Sequence, residues 1–166
     1  QVILPILCGV VIFIFWLVDG LSHKRKMAKC VDFFVPLIGA SLKSKEGGLG
    51  LTWYYYFYEA AGNFQNRNAF IVTNGRSKMI DVAVQLRNYK LKSFQKGLGG
   101  TSFQYEGNSY LIGGIYFEYG NDKLTRRVKI TNFDEETLSI VRKELQALCA
   151  LADKIDSGEI KYDFLL

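Results

Sequence analysis

Apolar and polar positions divide this chain into three regimes. From Val2 to Val18 (VILPILCGVVIFIFWLV) no residue is charged. A run of that length is at the short end of what crosses a hydrocarbon core about 30 Å thick. Leu, Ile, Val and Phe dominate it, which favours insertion, and Pro5 and Gly9 are tolerated in membrane helices. Trp16 stands near one end, where an aromatic ring meets headgroups, and Asp19-Gly20 closes the run. A cleaved signal peptide needs a charged start and a small-x-small cleavage site, and neither is present. A buried core helix is rarely so uniformly apolar. Residues 1–20 are therefore read as a single N-terminal transmembrane helix.

The second regime, residues 21–45, is mixed. It opens with a basic cluster of Lys24, Arg25, Lys26 and Lys29, which suits contact with membrane lipid headgroups. No basic side chain precedes the apolar run. The positive-inside rule then expects a single-pass protein of the inner or plasma membrane with its C-terminal domain cytoplasmic. Cys30 to Leu42 (CVDFFVPLIGASL) is apolar but too short to span, and Asp32 and Pro36 interrupt it. It reads as an amphipathic connector lying at the membrane surface.

In the third regime, residues 46–166, the apolar period shortens to two. Ile80, Val82, Val84 and Leu86 alternate with Asp81, Ala83 and Gln85, as in a half-buried strand. Further strand-like runs are Leu51–Tyr58, Ala69–Thr73, Thr101–Tyr105, Tyr110–Tyr119 and Leu124–Thr131. Asn74-Gly75, Glu106-Gly107-Asn108 and Gly120-Asn121-Asp122 mark turns. Short strands and close turns predict a mainly antiparallel sheet of about six strands. A final helix follows. Asp134 is a good N-cap, Glu135 and Glu136 complement the positive end of the helix dipole, and Phe133 and Leu138 occupy staple positions. Leu138, Val141, Leu145, Leu148, Ala152 and Ile155 recur at steps of three or four, and Gly158 is a terminator. The fold class is therefore α+β: a transmembrane helix, then a soluble antiparallel domain covered by a C-terminal helix. Ile160–Leu166 reads as an edge strand or a tail.

An internal echo runs through the domain. LKSKEGGLG at Leu42–Gly50 and LKSFQKGLG at Leu91–Gly99 share six of nine positions, 49 residues apart, and each leads into three strand-like runs. The pattern is that of a duplicated three-stranded meander, although two short matches fall below a repeat signal.

Charge alters the picture less than the total suggests. The formal net charge is +5, but residues 1–29 hold four bases and one acid, leaving 17 Lys and Arg against 15 Asp and Glu beyond them. A domain so nearly neutral has no electrostatic footprint for nucleic acid. The three cysteines, Cys8, Cys30 and Cys149, form no CxxC, and their odd number argues against a closed disulfide framework.

Catalytic chemistry has little to work with. The sole histidine, His23, lies in the basic cluster, so Ser-His and Cys-His machinery is not available within the domain. A zinc site has neither His nor paired Cys ligands there. Glu59, Asp81, Glu106, Glu118 and Asp122 are scattered along strands and turns. The glycine clusters at 47–50 and 97–100 lack the Lys-Ser/Thr ending of a phosphate loop. No catalytic residues, metal or cofactors are expected, and the protein is read as a non-enzyme.

Trp53-Tyr54-Tyr55-Tyr56-Phe57-Tyr58 stands out. In a strand, Thr52, Tyr54, Tyr56 and Tyr58 share one face, and every side chain there carries a hydroxyl. Such a face either shields a sheet and meets the helix, or offers a rigid aromatic surface to a partner. Taking Trp53, Tyr54, Tyr56 and Tyr58 as partner-binding residues leads to a membrane-anchored protein-interaction module. An accessory subunit of a membrane complex and a toxin-neutralising immunity protein are two examples. The alternative is a lipid- or ligand-binding domain at the membrane surface, because antiparallel strands closed by one helix, over residues 68–155, resemble the general plan of pleckstrin-homology-like domains.

Overall fold

A computed structural model of the chain describes residues 3–46, 56–73, 78–87, 101–112 and 122–160. Its first element, α1 (Ile3–Ile38), is one unbroken helix of 36 residues, about 54 Å long at 1.5 Å per residue. Its two halves have different surroundings. From Ile6 to Leu21 the large apolar side chains are exposed, and among the described residues this is the one helix long and apolar enough to cross a membrane. From Met27 onward the helix belongs to the domain. Met27, Val31, Phe34 and Ile38 recur at steps of four, three and four, fall on one face, and are buried in the same core as the sheet.

The connector read from the sequence as a membrane-surface stretch is thus the second half of a helix that covers the sheet. Asp32 and Pro36 do not interrupt it, because both lie on its exposed side. Pro36 forfeits one hydrogen bond in the last turn, where the helix is about to end. Gly39, with φ +57°, then reverses the chain as a left-handed cap, and the Ala40 amide donates to the Val35 carbonyl at 3.4 Å.

Seven strands among the described residues form one antiparallel sheet: β1 (Ser41–Glu46), β2 (Tyr56–Phe64), β3 (Arg67–Thr73), β4 (Met79–Gln85), β5 (Thr101–Tyr105), β6 (Asn108–Ile112) and β7 (Lys123–Lys129). Their order is β1-β2-β3-β4-β7-β6-β5. The strand beyond those expected is β1, which pairs with β2 from Ser41↔Ala61 to Glu46↔Tyr56. The sheet is not a continuous meander. Strands β2-β3-β4 form one three-stranded unit and β5-β6-β7 another, joined through their last strands from Met79↔Lys129 to Gln85↔Lys123. The two units are thereby related by a local twofold about the β4–β7 pair.

Both units open with a two-residue hairpin turn in which each central residue has positive φ: Gln65 (48°) and Asn66 (62°), then Glu106 (47°) and Gly107 (76°). This is the twist-matched geometry of tight hairpins. The turns lie 41 residues apart, from 65 to 106, whereas the LKS echo is spaced by 49. The topology has the symmetry of a duplication, but the echo does not mark its register.

One face of the sheet carries Tyr58, Ala60, Ala69, Ile71, Ile80, Val82, Val84, Leu124 and Val128, all buried. The covering layer is α1 from Met27 together with α2 (Glu135–Asp156), which contributes Val141, Leu145, Leu148, Ala152 and Ile155. The cap read from the sequence is in place, since Asp134 Oδ1 accepts from the Thr137 amide at 2.9 Å, and Gly158 has φ +76°. The Phe133 ring meets Phe33 of α1 edge to face, 5.4 Å between centroids. At its C-terminal end, α1 lies so close to β2 that a Cβ on Gly62 would overlap the Ile38 carbonyl oxygen. Helix α1 therefore ends near the β2–β3 turn and projects back past the head of α2.

Candidate functional site

The basic residues singled out from the sequence all stand on α1, and Arg25, Lys26 and Lys29 are exposed. At 100° per residue, Arg25 and Lys29 fall on the side of the helix opposite Met27, Val31, Phe34 and Ile38. Arg25 lies in the short stretch between the exposed apolar half and the docked half, and Lys29 stands on the outer side of the docked half, two residues past Met27.

The aromatic strand is divided. Trp53 and Tyr54 lie outside the described residues, and Tyr56 is the first residue of β2, opposite Glu46. Tyr58 is 5% exposed and part of the core, and its amide donates to Thr73 Oγ1 at 3.3 Å. From Tyr58 on, the side of the strand expected to present hydroxyls is the side that meets the helices. Tyr58 thus contributes to packing, and a partner-binding role for it would require its exposure. The glycine clusters and Glu118 also fall outside the described residues.

A feature that sequence inspection missed lies beside the β2–β3 turn. Arg67, the first residue of β3, has a side chain only 2% exposed. Its Nε and Nη2 donate to Asp153 Oδ1, its Nη1 to the Gln85 carbonyl at 3.0 Å, and Asp156 Oδ2 lies 2.7 Å from Nη2. Asp156 also accepts from the Arg87 amide at 3.0 Å. Burial opposes the charge on Arg67, but the two aspartates outweigh it and raise its proton affinity further. The arrangement ties the end of α2 to the start of β3.

Next to this clasp is a cleft of about 380 Å³ lined by Asn66, Arg67, Asn68, Gln85, Leu86, Arg87 and Asp122. Asn68 donates to Gln85 and Gln85 to Asp122, each at 2.6 Å, while Arg87 Nη2 donates to the Asn66 carbonyl at 2.7 Å. These groups bond mainly to one another. The cleft opens at the end of the sheet away from the projecting half of α1.

Several other charged groups among the described residues make contacts within the domain. On the sheet face opposite the helices, Asp81 is buried and accepts from Arg127 Nε at 2.8 Å. Glu59 is buried on the same face, and Lys123 Nζ sits 3.5 Å from the centre of the Phe70 ring. Arg126 pairs with Glu144 of α2 and donates to Asn108 at 2.8 Å, and Lys154 donates to the Tyr105 hydroxyl at 3.0 Å. Burial pushes the Cys149 thiol above its ordinary value, and its Sγ lies 3.8 Å from the Phe64 carbonyl. Among the described residues no three His, Cys, Asp or Glu side chains are grouped to hold a metal ion. The chain shows no significant similarity to a known protein family, a curated protein or a solved structure.

Proposed function

We propose that this protein is a non-enzymatic, membrane-anchored interaction module that holds a small α+β domain beside the bilayer for a protein partner. One observation carries the reading. A helix with an exposed apolar half, in which Asp19 is the one charged residue, runs without a break into the core of a folded domain. Exposing a contiguous surface of so many large apolar side chains to water is unfavourable, at about 25 cal/mol per Å². A lipid environment removes that cost. Lys24, Arg25, Lys26 and Lys29 follow the apolar half, and on the positive-inside rule this cluster favours a cytoplasmic domain.

The partner surface is assigned to the aromatic stretch read from the sequence at residues 53–58, with Trp53, Tyr54 and Tyr56 as the contacts. An accessory subunit of a membrane complex and a toxin-neutralising immunity protein are two examples of such a module. The pleckstrin-homology-like alternative ranks second. The strand order departs from a continuous meander at β4, and Arg126 and Arg127 are engaged by Glu144 and Asp81.

The test is in-membrane crosslinking of the full chain followed by pull-down, comparing the parent with a Tyr54→Ala/Tyr56→Ala variant. The proposal expects one discrete partner band that the variant loses while retaining its fold. A band unchanged by the substitutions, or no protein partner at all, would count against it.

A further inference from the structure

We infer that α1 is a rigid strut and not a flexible tether, so that it sets both the height and the rotational setting of the domain relative to the bilayer. The height rests on the membrane reading above; the rigidity does not.

Three observations carry the inference. First, the helix is unbroken between Leu21, the last exposed large apolar residue of the projecting half, and Met27, the first residue of the docked half. Six residues at 1.5 Å per residue make about 9 Å. A bilayer's interfacial layer is about 5–7 Å thick on each side. The domain therefore begins just outside the headgroups, with no slack in which a hinge could operate.

Second, the docked half is fixed at several separate points. Val31 and Phe34 are fully buried, Phe33 packs edge to face on Phe133, and Ile38 lies against Gly62 with no room for a methyl group. With Met27 buried in the same core, contacts spread over the docked segment from Met27 to Ile38 and resist pivoting as well as withdrawal. Third, the domain occupies one side of the helix and Arg25 and Lys29 the other. Rotating α1 about its axis would thus carry the domain around with it. A consequence is directional. The Arg67–Arg87–Asp122 cleft lies at the end of the sheet away from the projecting helix, so it faces away from the bilayer.

Gly20 is the glycine of α1 nearest the junction of its two halves. It lies within the helix, nothing stands within 4 Å of a Cβ built there, and glycine costs helix stability. Gly20→Ala should stiffen the helix without any clash.

The experiment is a pulsed electron-spin distance measurement on the full chain, with genetically encoded spin labels at Val18 and Ser157, leaving the three cysteines in place. It is run in detergent micelles and again in vesicles. The strut gives one narrow distance in both, unchanged in Gly20→Ala. Four alanines inserted between Leu21 and Ser22 lengthen the helix by about 6 Å and turn it by about 40°, so the peak should move by several ångströms without broadening. A broad distribution in the parent chain, or a distance indifferent to the insertion, overturns the strut. The anchor is read separately by flotation with the vesicles. A narrow distance in a protein that does not float leaves the strut standing and removes the bilayer from the account.

Discussion

Replacing Gly62 by alanine strikes the point where α1 touches the sheet. Gly62 has ordinary strand backbone, so the cost is one of contact and not of conformation. The new methyl group would overlap the Ile38 carbonyl oxygen and stand 3.0 Å from both the Ile38 carbonyl carbon and Ala40 Cβ. Ordinary contacts between carbons are about 3.5–4.0 Å, so the end of the helix must withdraw by on the order of 1 Å. Overpacking of this kind costs about 1–3 kcal/mol. Restricting the unfolded chain returns about 0.4–1 kcal/mol, which leaves a net loss of about 1.3 kcal/mol at mid-range and at most about 2.6 kcal/mol. Denaturant unfolding in mild detergent measures that loss as a lower midpoint. Thiol labelling localises it. Cys30, which packs against the core from α1, should react faster in the variant, while Cys149, on the buried face of α2, keeps its rate. A variant as stable as the parent, with Cys30 equally protected, would refute the docking of α1 on β2.

Other perturbations probe the remaining joints. Phe34→Ala removes a fully buried ring from α1 and should cost about 3–5 kcal/mol by chemical denaturation; a loss within the range of surface substitutions would place residue 34 outside the core. Arg67→Met strips the buried partner from Asp156 and should cost about 3 kcal/mol, with little added by Asp153, whose side chain is 67% exposed. If Arg67→Met unfolds at the parental midpoint, the clasp is ornamental. Asp134 has its proton affinity lowered, first by the hydrogen bond from the Thr137 amide. Its contribution is therefore present above the ordinary carboxylate range and is lost as pH falls through the lower, folded value. Asp134→Asn keeps an N-cap and should flatten that part of the acid limb of the Tm profile; superimposable profiles would contradict the sign.

Local patterns foretold some elements and not others. Helix α2 was legible because one residue type after another agreed: Asp134 as cap, an apolar stripe from Leu138 to Ile155, and Gly158 as terminator. Alternation likewise marked β4. By contrast, β1 reads SLKSKE, and an edge strand needs so little apolar content that its sequence resembles a loop. The docked half of α1 carries its stripe openly, but Asp32 and Pro36 suggest a break until their exposed positions are seen. What an amphipathic face packs against is a tertiary fact that the stripe itself does not contain. The same holds for the Arg67 clasp, which joins residues 86 apart in sequence. Its one local hint is the pair of acids, Asp153 and Asp156, three apart on the last turns of α2. The basic cluster was legible by position alone. The aromatic stretch was legible as unusual, and the burial of Tyr58 gives part of it to the core.

The function proposed for this protein depends on the projecting half of α1 residing in a bilayer. The most direct measurement is flotation of the full chain with vesicles, followed by an alkaline wash that strips peripheral proteins. The account predicts that the protein floats and resists the wash, while a variant carrying Val10→Arg and Ile14→Arg, two exposed positions one turn apart, keeps its folded domain and stays at the bottom of the gradient. Release of the parent protein by the wash, or flotation of the doubly charged variant like the parent, would contradict it.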